Sequence, residues 1–236
     1  MKILTSIKNS LKNKKNIFLS RGFTIAEMLV VLAIFIVISG IVLFNFSDFK
    51  SNVGIENLAQ DIALSVRKTQ SYALSTKGNL LSGSPSTIFP GYGIHFSTES
   101  SVTAQKFQGS NKSFIIFADI PPGVVPLFYE YKYDSGVRFC DASNLASGNE
   151  CLEEIKISST DYISEICDDT NSTPNCITGS LDITFKRPNP DATFCFIPTG
   201  APGCSGTSTS AYITISSLSG KTQKIKVWNT GQISIE

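Results

Sequence analysis

An α+β fold is predicted: one long N-terminal helix followed by a domain of antiparallel strands. Three observations carry this. Residues 22–44 (GFTIAEMLVVLAIFIVISGIVLF) are the only long apolar run in the chain. From Phe49 to Lys77 apolar residues recur at spacings of three and four. Beyond that, short alternating segments are separated by Gly, Pro, Asn and Ser, and this half carries every cysteine.

From Met28 to Phe44 only Ser39 and Gly40 interrupt the large apolar side chains. With Phe23–Glu27 the run just exceeds twenty residues, roughly enough to cross a ~30 Å hydrocarbon core as a helix. Lys2, Lys8, Lys12, Lys14, Lys15 and Arg21 precede it, with no acidic residue. That bias holds the N-terminus in the cytoplasm and sends the C-terminus outward. The run ends FNFSDFK, a poor signal-peptidase site. The first cysteine is Cys140, which excludes a lipoprotein-type anchor.

Glu27 is the one charge in the run. A carboxylate there is costly unless it lies at the headgroup boundary or has a partner. Gly22-Phe23-Thr24-Ile25-Ala26-Glu27 resembles the processing site of type IV pilins and type II secretion pseudopilins. In that family a basic leader ends in Gly, Phe usually follows, Glu is the fifth residue after the cut, and an apolar helix continues. The resemblance implies a cut between Gly22 and Phe23 by a prepilin peptidase and N-methylation of Phe23. It also implies that Glu27 pairs with the free N-terminus of a neighbouring subunit's Phe23 and sets assembly register. The boundaries that follow are a leader over 1–22, a transmembrane and assembly helix over 23–46, its amphipathic continuation over 47–78, and an exported β-rich domain over 79–236. The chain departs from many pilins in lacking a Pro near the far end of the run; its first is Pro85. Local helix melting on assembly would then rely on Gly40 or Gly54.

In the amphipathic part, Ile55, Leu58, Ile62 and Val66, with Ala59, Ala63 and Ala73, form one face, opposite Lys50, Glu56, Asp61, Arg67 and Lys68. Lys77-Gly78 is a fitting C-terminus. A continuous helix from Phe23 to Lys77 would span roughly 80 Å. Residues 79–91 are expected to be loop. Strands are expected at GYGIHF, SFIIFA, EIKISS, LDITFKR and TFCFI, and LFYEYKY with GVRFC is expected to form a hairpin around Asp134-Ser135-Gly136, after a breaker at PPGVVP. The clearest unit is AYITISSL, a Ser219-Gly220 turn, QKIKVWN, an Asn229-Thr230-Gly231 turn and QISIE, with Ile213, Ile215, Ile225 and Val227 inward. FKRPNPDATF and this terminal unit loosely resemble the end of the domain in H-type minor pseudopilins.

The cysteines stand at 140/151, 167/176 and 195/204. Sequential pairing would close three local loops, each worth about 2.5–3 kcal/mol. It is one of fifteen connectivities, preferred for its short loops. A zinc site is the rival; it lacks a CxxC pair, and the single His95 lies far upstream. His95 is expected at the surface or half-buried on its strand, not in a catalytic pair. Asp168, Asp169, Asn171 and Ser172, between Cys167 and Cys176, could offer oxygens to Ca²⁺, yet lack the order of a known calcium loop; a solvated polar turn is the alternative. Lys224, Lys226 and Trp228 share a face of the penultimate strand and could stack on a base or sugar. Some minor pilins of DNA-uptake pili bind DNA, which brings DNA in as an alternative partner. The plainer reading is an exposed sheet edge guarded by Lys.

Removing residues 1–22 leaves fourteen basic against nineteen acidic groups, net −5, unlike a globally basic nucleic-acid binder. No P-loop is present, so force generation would belong to a separate ATPase. The expectation is a structural subunit without enzymatic activity, cofactor or metal. Its partners would be other subunits, the prepilin peptidase, the inner-membrane assembly platform with its ATPase, and the membrane. It would start as a single-pass inner-membrane protein and end in an extracytoplasmic fibre. A tip subunit binding DNA or a secreted substrate is the second reading. A signal-anchored extracellular enzyme is the third, disfavoured because no paired catalytic groups are evident.

Overall fold

The computed structural model describes residues 22–75, 77–80, 87–100, 109–120, 132–133, 140, 145, 149–169, 174–201, 203–205 and 208–236. Helix α1 runs from Ile25 to Leu74, shorter at both ends than expected. Thr24 sets its start: Glu27 N–H donates to Thr24 Oγ1 (3.2 Å) and Thr24 N–H donates to Glu27 Oε2 (3.0 Å). This reciprocal capping box satisfies two otherwise orphaned donors, and it leaves Phe23 outside the helix. At the other end Ser75 donates its N–H to the Ser71 carbonyl (2.9 Å) and its hydroxyl to the Tyr72 carbonyl (3.1 Å), so the helix stops before Lys77. The helix passes Gly40 and Gly54 without a break.

The chain divides into two units, Met1–Phe46 and Ser47–Glu236. In the first, every large apolar side chain from Ile25 to Phe44 is at least 50 % exposed. A helix apolar on all sides suits a lipid surrounding, and this one is long and apolar enough to cross a membrane.

The second unit holds two five-stranded antiparallel sheets. Sheet I has the order β5 (Cys151–Lys156), β4 (Ser113–Asp119), β3 (Gly91–Ser97), β8 (Gly179–Phe185), β9 (Ala192–Pro198). Sheet II has the order β12 (Ile233–Ile235), β11 (Thr222–Trp228), β10 (Ser210–Ser216), β6 (Tyr162–Asp168), β7 (Asn175–Ile177). Ile55, Leu58, Ala59, Ile62, Val66 and Ala73 of α1 share one core with Ile94, Phe96, Ile183 and Phe185 of sheet I and Ile163, Ile213, Ile225 and Val227 of sheet II. The terminal meander is as expected, with Ile213, Ile215, Ile225 and Val227 all inward. Gln70 of α1 donates to the Pro190 carbonyl (3.0 Å), which ties the helix to the β8–β9 connection.

The inner strands of sheet I are buried on both faces: β3 and β4 have no exposed residue. Behind the main core, Ile115 and Phe117 pack with Tyr133, Cys151 and Cys140 in a second cluster. Gly93 makes room for this layer, because a Cβ there would overlap the Phe117 ring.

Two expectations change. Within 79–91, β1 (Asn79–Leu80) and β2 (Thr87–Ile88) pair as a two-stranded ribbon, so this stretch is not all loop. Strands β6 and β7 were not expected. In β6 a bulge lets Glu165 face Thr214 and Ile163 face Ile215, so Ser164 is the extra residue. The inward residues Ile163 and Ile166 are therefore three apart, which hides the period of two. Ser164 donates to the Thr214 carbonyl (3.1 Å) and accepts from the Ser216 hydroxyl (2.7 Å). The hairpin expected around Asp134-Ser135-Gly136 and the breaker at 121–126 lie outside the described residues.

Candidate functional site

Gly22 and Phe23 lie just ahead of α1, both exposed, with open space where a Gly22 side chain would project. Glu27 is also exposed, and its carboxylate is held by Thr24 through both the backbone N–H and the hydroxyl (3.2 Å). Within one chain Glu27 is thus an N-terminal helix cap. The signal was in the sequence as Thr-x-x-Glu ahead of an apolar run.

The three disulfides are sequential: Cys140–Cys151, Cys167–Cys176 and Cys195–Cys204. Cys167 and Cys176 face each other across β6 and β7. Glu165 lies close to both sulfurs, but these are bonded to one another and offer no thiolate to a metal.

A polar cluster covers the outer face of sheet II. Register builds it: Cys176, Cys167, Tyr212, Lys226 and Ser234 lie in one row across β7, β6, β10, β11 and β12. Asp169, just past β6, reaches back over this row. Its Oδ2 accepts from Lys226 Nζ (3.1 Å), the Tyr212 hydroxyl (3.2 Å) and the Ser210 hydroxyl (3.3 Å). Lys226 also donates to the Tyr212 hydroxyl and lies over the rings of Tyr212 (4.5 Å) and Trp228 (4.9 Å).

One reading changes here, and two gain detail. Lys224, Lys226 and Trp228 do share a face, but β11 lies between β10 and β12, so it is no sheet edge. Lys226 is paired with Asp169 (3.1 Å), while Lys224 is exposed. The Asp169 oxygen proposed for Ca²⁺ is already hydrogen-bonded three times, and Asn171 and Ser172 lie outside the described residues.

The hydrogen bond from Lys226 holds the Asp169 carboxyl below its ordinary value; Tyr212 and Ser210 add to this against partial desolvation. Lys226 is held above its ordinary value, first by the Tyr212 hydroxyl and, against partial desolvation, by Asp169. Asp169 therefore contributes stability above the unfolded-state carboxylate value of about 3.9, and this is lost as pH falls through the lower folded value. Lys226 contributes below about 10.4, and this is lost as pH rises through its higher folded value. In thermal unfolding scans, Asp169→Asn is expected to melt below wild type at neutral pH and to converge with it as pH falls through the lowered folded-state value.

His95 differs most from expectation. It is buried, and its Nδ1 lies 2.5 Å from Asp182 Oδ1 on the neighbouring strand. Asp182 is fully buried, and its Oδ2 accepts the backbone N–H of Tyr133 (2.9 Å), whose ring packs 5.0 Å from the imidazole. The pair joins β3 to β8 and pins the covering layer behind sheet I.

No family model, curated protein or solved structure matches this chain.

Proposed function

We propose that this protein is a structural subunit of a type IV pilus or a type II secretion-like fibre, a pilin or minor pseudopilin, and not an enzyme. The observation that carries this reading is the register of Gly22, Phe23 and Glu27 at the start of an apolar helix behind a wholly basic leader. A prepilin peptidase would cut after Gly22 and methylate Phe23, and subunits would polymerise through α1. The described geometry supports the reading in two ways. The apolar half of the helix is exposed on all sides, as an element must be that moves from lipid into contacts with its own kind. Glu27 has an exposed carboxylate within four residues of the expected new N-terminus, where a neighbour's ammonium could compete with Thr24 for it.

The test is intact mass and N-terminal peptide mapping of the protein from its native membrane, with and without Gly22→Ala. Open space surrounds Gly22, so an effect of this change on cleavage reports on the peptidase and not on folding. A wild-type species beginning at N-methylated Phe23, absent in the variant, is expected. A chain that retains its leader in both, or is cut beyond the apolar run, would overturn the proposal.

A further inference from the structure

The β10–β11 hairpin has a fixed direction along α1. At one end Ser51 is bonded to its tip, through Ser217 Oγ (3.2 Å) and Ser219 Oγ (2.5 Å), with those two hydroxyls 2.7 Å apart. At the other end Gln70 lies against Gly231, just past β11. The nineteen residues of helix between these pins rise about 28 Å. The seven residues of β11 extend about 20 Å, and the pinned turns lie just beyond its two ends, so strand and helix run side by side. The tip therefore lies at the end of sheet II beside Ser51, close to where the chain enters this unit. Ser51 follows Phe44 by seven residues, which tethers the tip within ~25 Å of the end of that run whatever path the chain takes.

The tip exposes one large apolar side chain beside Ser219 and Gly220. Leu218, between the two bonded serines, is 77 % exposed. At the same level of the helix, Phe49 and Val53 stand two residues either side of Ser51, about 160° around from it. They too are open, at 64 % and 37 %. Apolar groups thus occur on both sides of α1 at the level of Ser51, accompanied by the exposed cations Lys50 and Lys221. From Ile55 onward the buried helix positions belong to the protein core instead.

The geometry points to a second membrane contact: the Ser217–Gly220 tip rests in the lipid headgroup layer through Leu218, with Lys50 and Lys221 near anionic headgroups. The exported domain is then held at two points and keeps a set orientation on the bilayer before assembly. This inference rests on α1 spanning the membrane. Partition of one leucine adds a weak bond, enough to orient a domain already tethered and too weak to bind a membrane alone.

All six native cysteines are paired, so a single introduced thiol is a unique labelling site. The full chain would be reconstituted into vesicles of zwitterionic and anionic phospholipid, labelled with an environment-sensitive fluorophore at Leu218→Cys, Val37→Cys or Asn189→Cys, and quenched with brominated lipids. Asn189 lies beside Pro190, at the Gln70 end. The expected result is a blue shift with quenching at 218 and at 37, and neither at 189. Quenching at 37 but not 218 overturns the tip contact while leaving the span intact. No quenching at 37 overturns the spanning reading and the tip contact with it. Equal quenching at 218 and 189 shows nonspecific adsorption of the domain and also overturns the tip contact.

Discussion

Asp182→Ala is expected to lower the unfolding free energy by about 2–6 kcal/mol, because two buried groups lose the acceptor they share. The denaturant midpoint, followed through the single Trp228, is the measurement. The size follows from what is left behind. His95 would keep its strand position with its Nδ1 facing a void, and the Tyr133 N–H would lose its acceptor. Each abandoned buried group carries its own desolvation cost of about 1–3 kcal/mol. Asp182→Asn, which keeps one acceptor oxygen, should fall between wild type and Ala. His95→Ala leaves the Tyr133 acceptor in place, so it should cost less than Asp182→Ala. An Asp182→Ala protein with a wild-type midpoint would show that the pair is not what fastens the covering layer to sheet I.

Gly179→Ala is the second large effect expected, a loss of more than about 2 kcal/mol. Gly179 opens β8 at φ +146°, a region that L side chains rarely adopt. A Cβ there would overlap the Ile197 carbonyl oxygen and lie 2.9 Å from Thr199 N. Both obstacles are backbone atoms of the paired strand, so no rotamer change relieves the contact. The same residue carries the β3–β8 seam: its carbonyl accepts from Thr98 N–H (2.9 Å), and its N–H donates to Thr98 Oγ1 (2.9 Å). Gly200 is the control. It too has positive φ, but open space surrounds it, so Gly200→Ala should cost only about 1 kcal/mol. Equal midpoints for the two variants would mean that the β8–β9 hairpin relaxes around the added methyl.

The features legible in the sequence were those encoded by neighbours along the chain. The apolar run, the amphipathic stripe from Ile55 to Ala73, and the hairpins turning at Gly220 and Gly231 depend on spacings of two to four residues. The capping box of Thr24 and Glu27 is equally local. Close cysteines favour close partners for the same reason, because short loops close most readily.

Only tertiary structure decided the rest. Strand β6 was concealed because its bulge at Ser164 is defined by the partner strand β10, and a shift of register leaves no periodic trace. Lys226 looked like an exposed edge cation until strand order placed β12 outside it and brought Asp169 over it from 57 residues away. His95 looked like a surface histidine because its partner lies 87 residues along the chain, adjacent only once β8 docks beside β3. Local chemistry writes helices, turns and short disulfides into sequence, whereas burial and charge pairing are properties of which strands become neighbours.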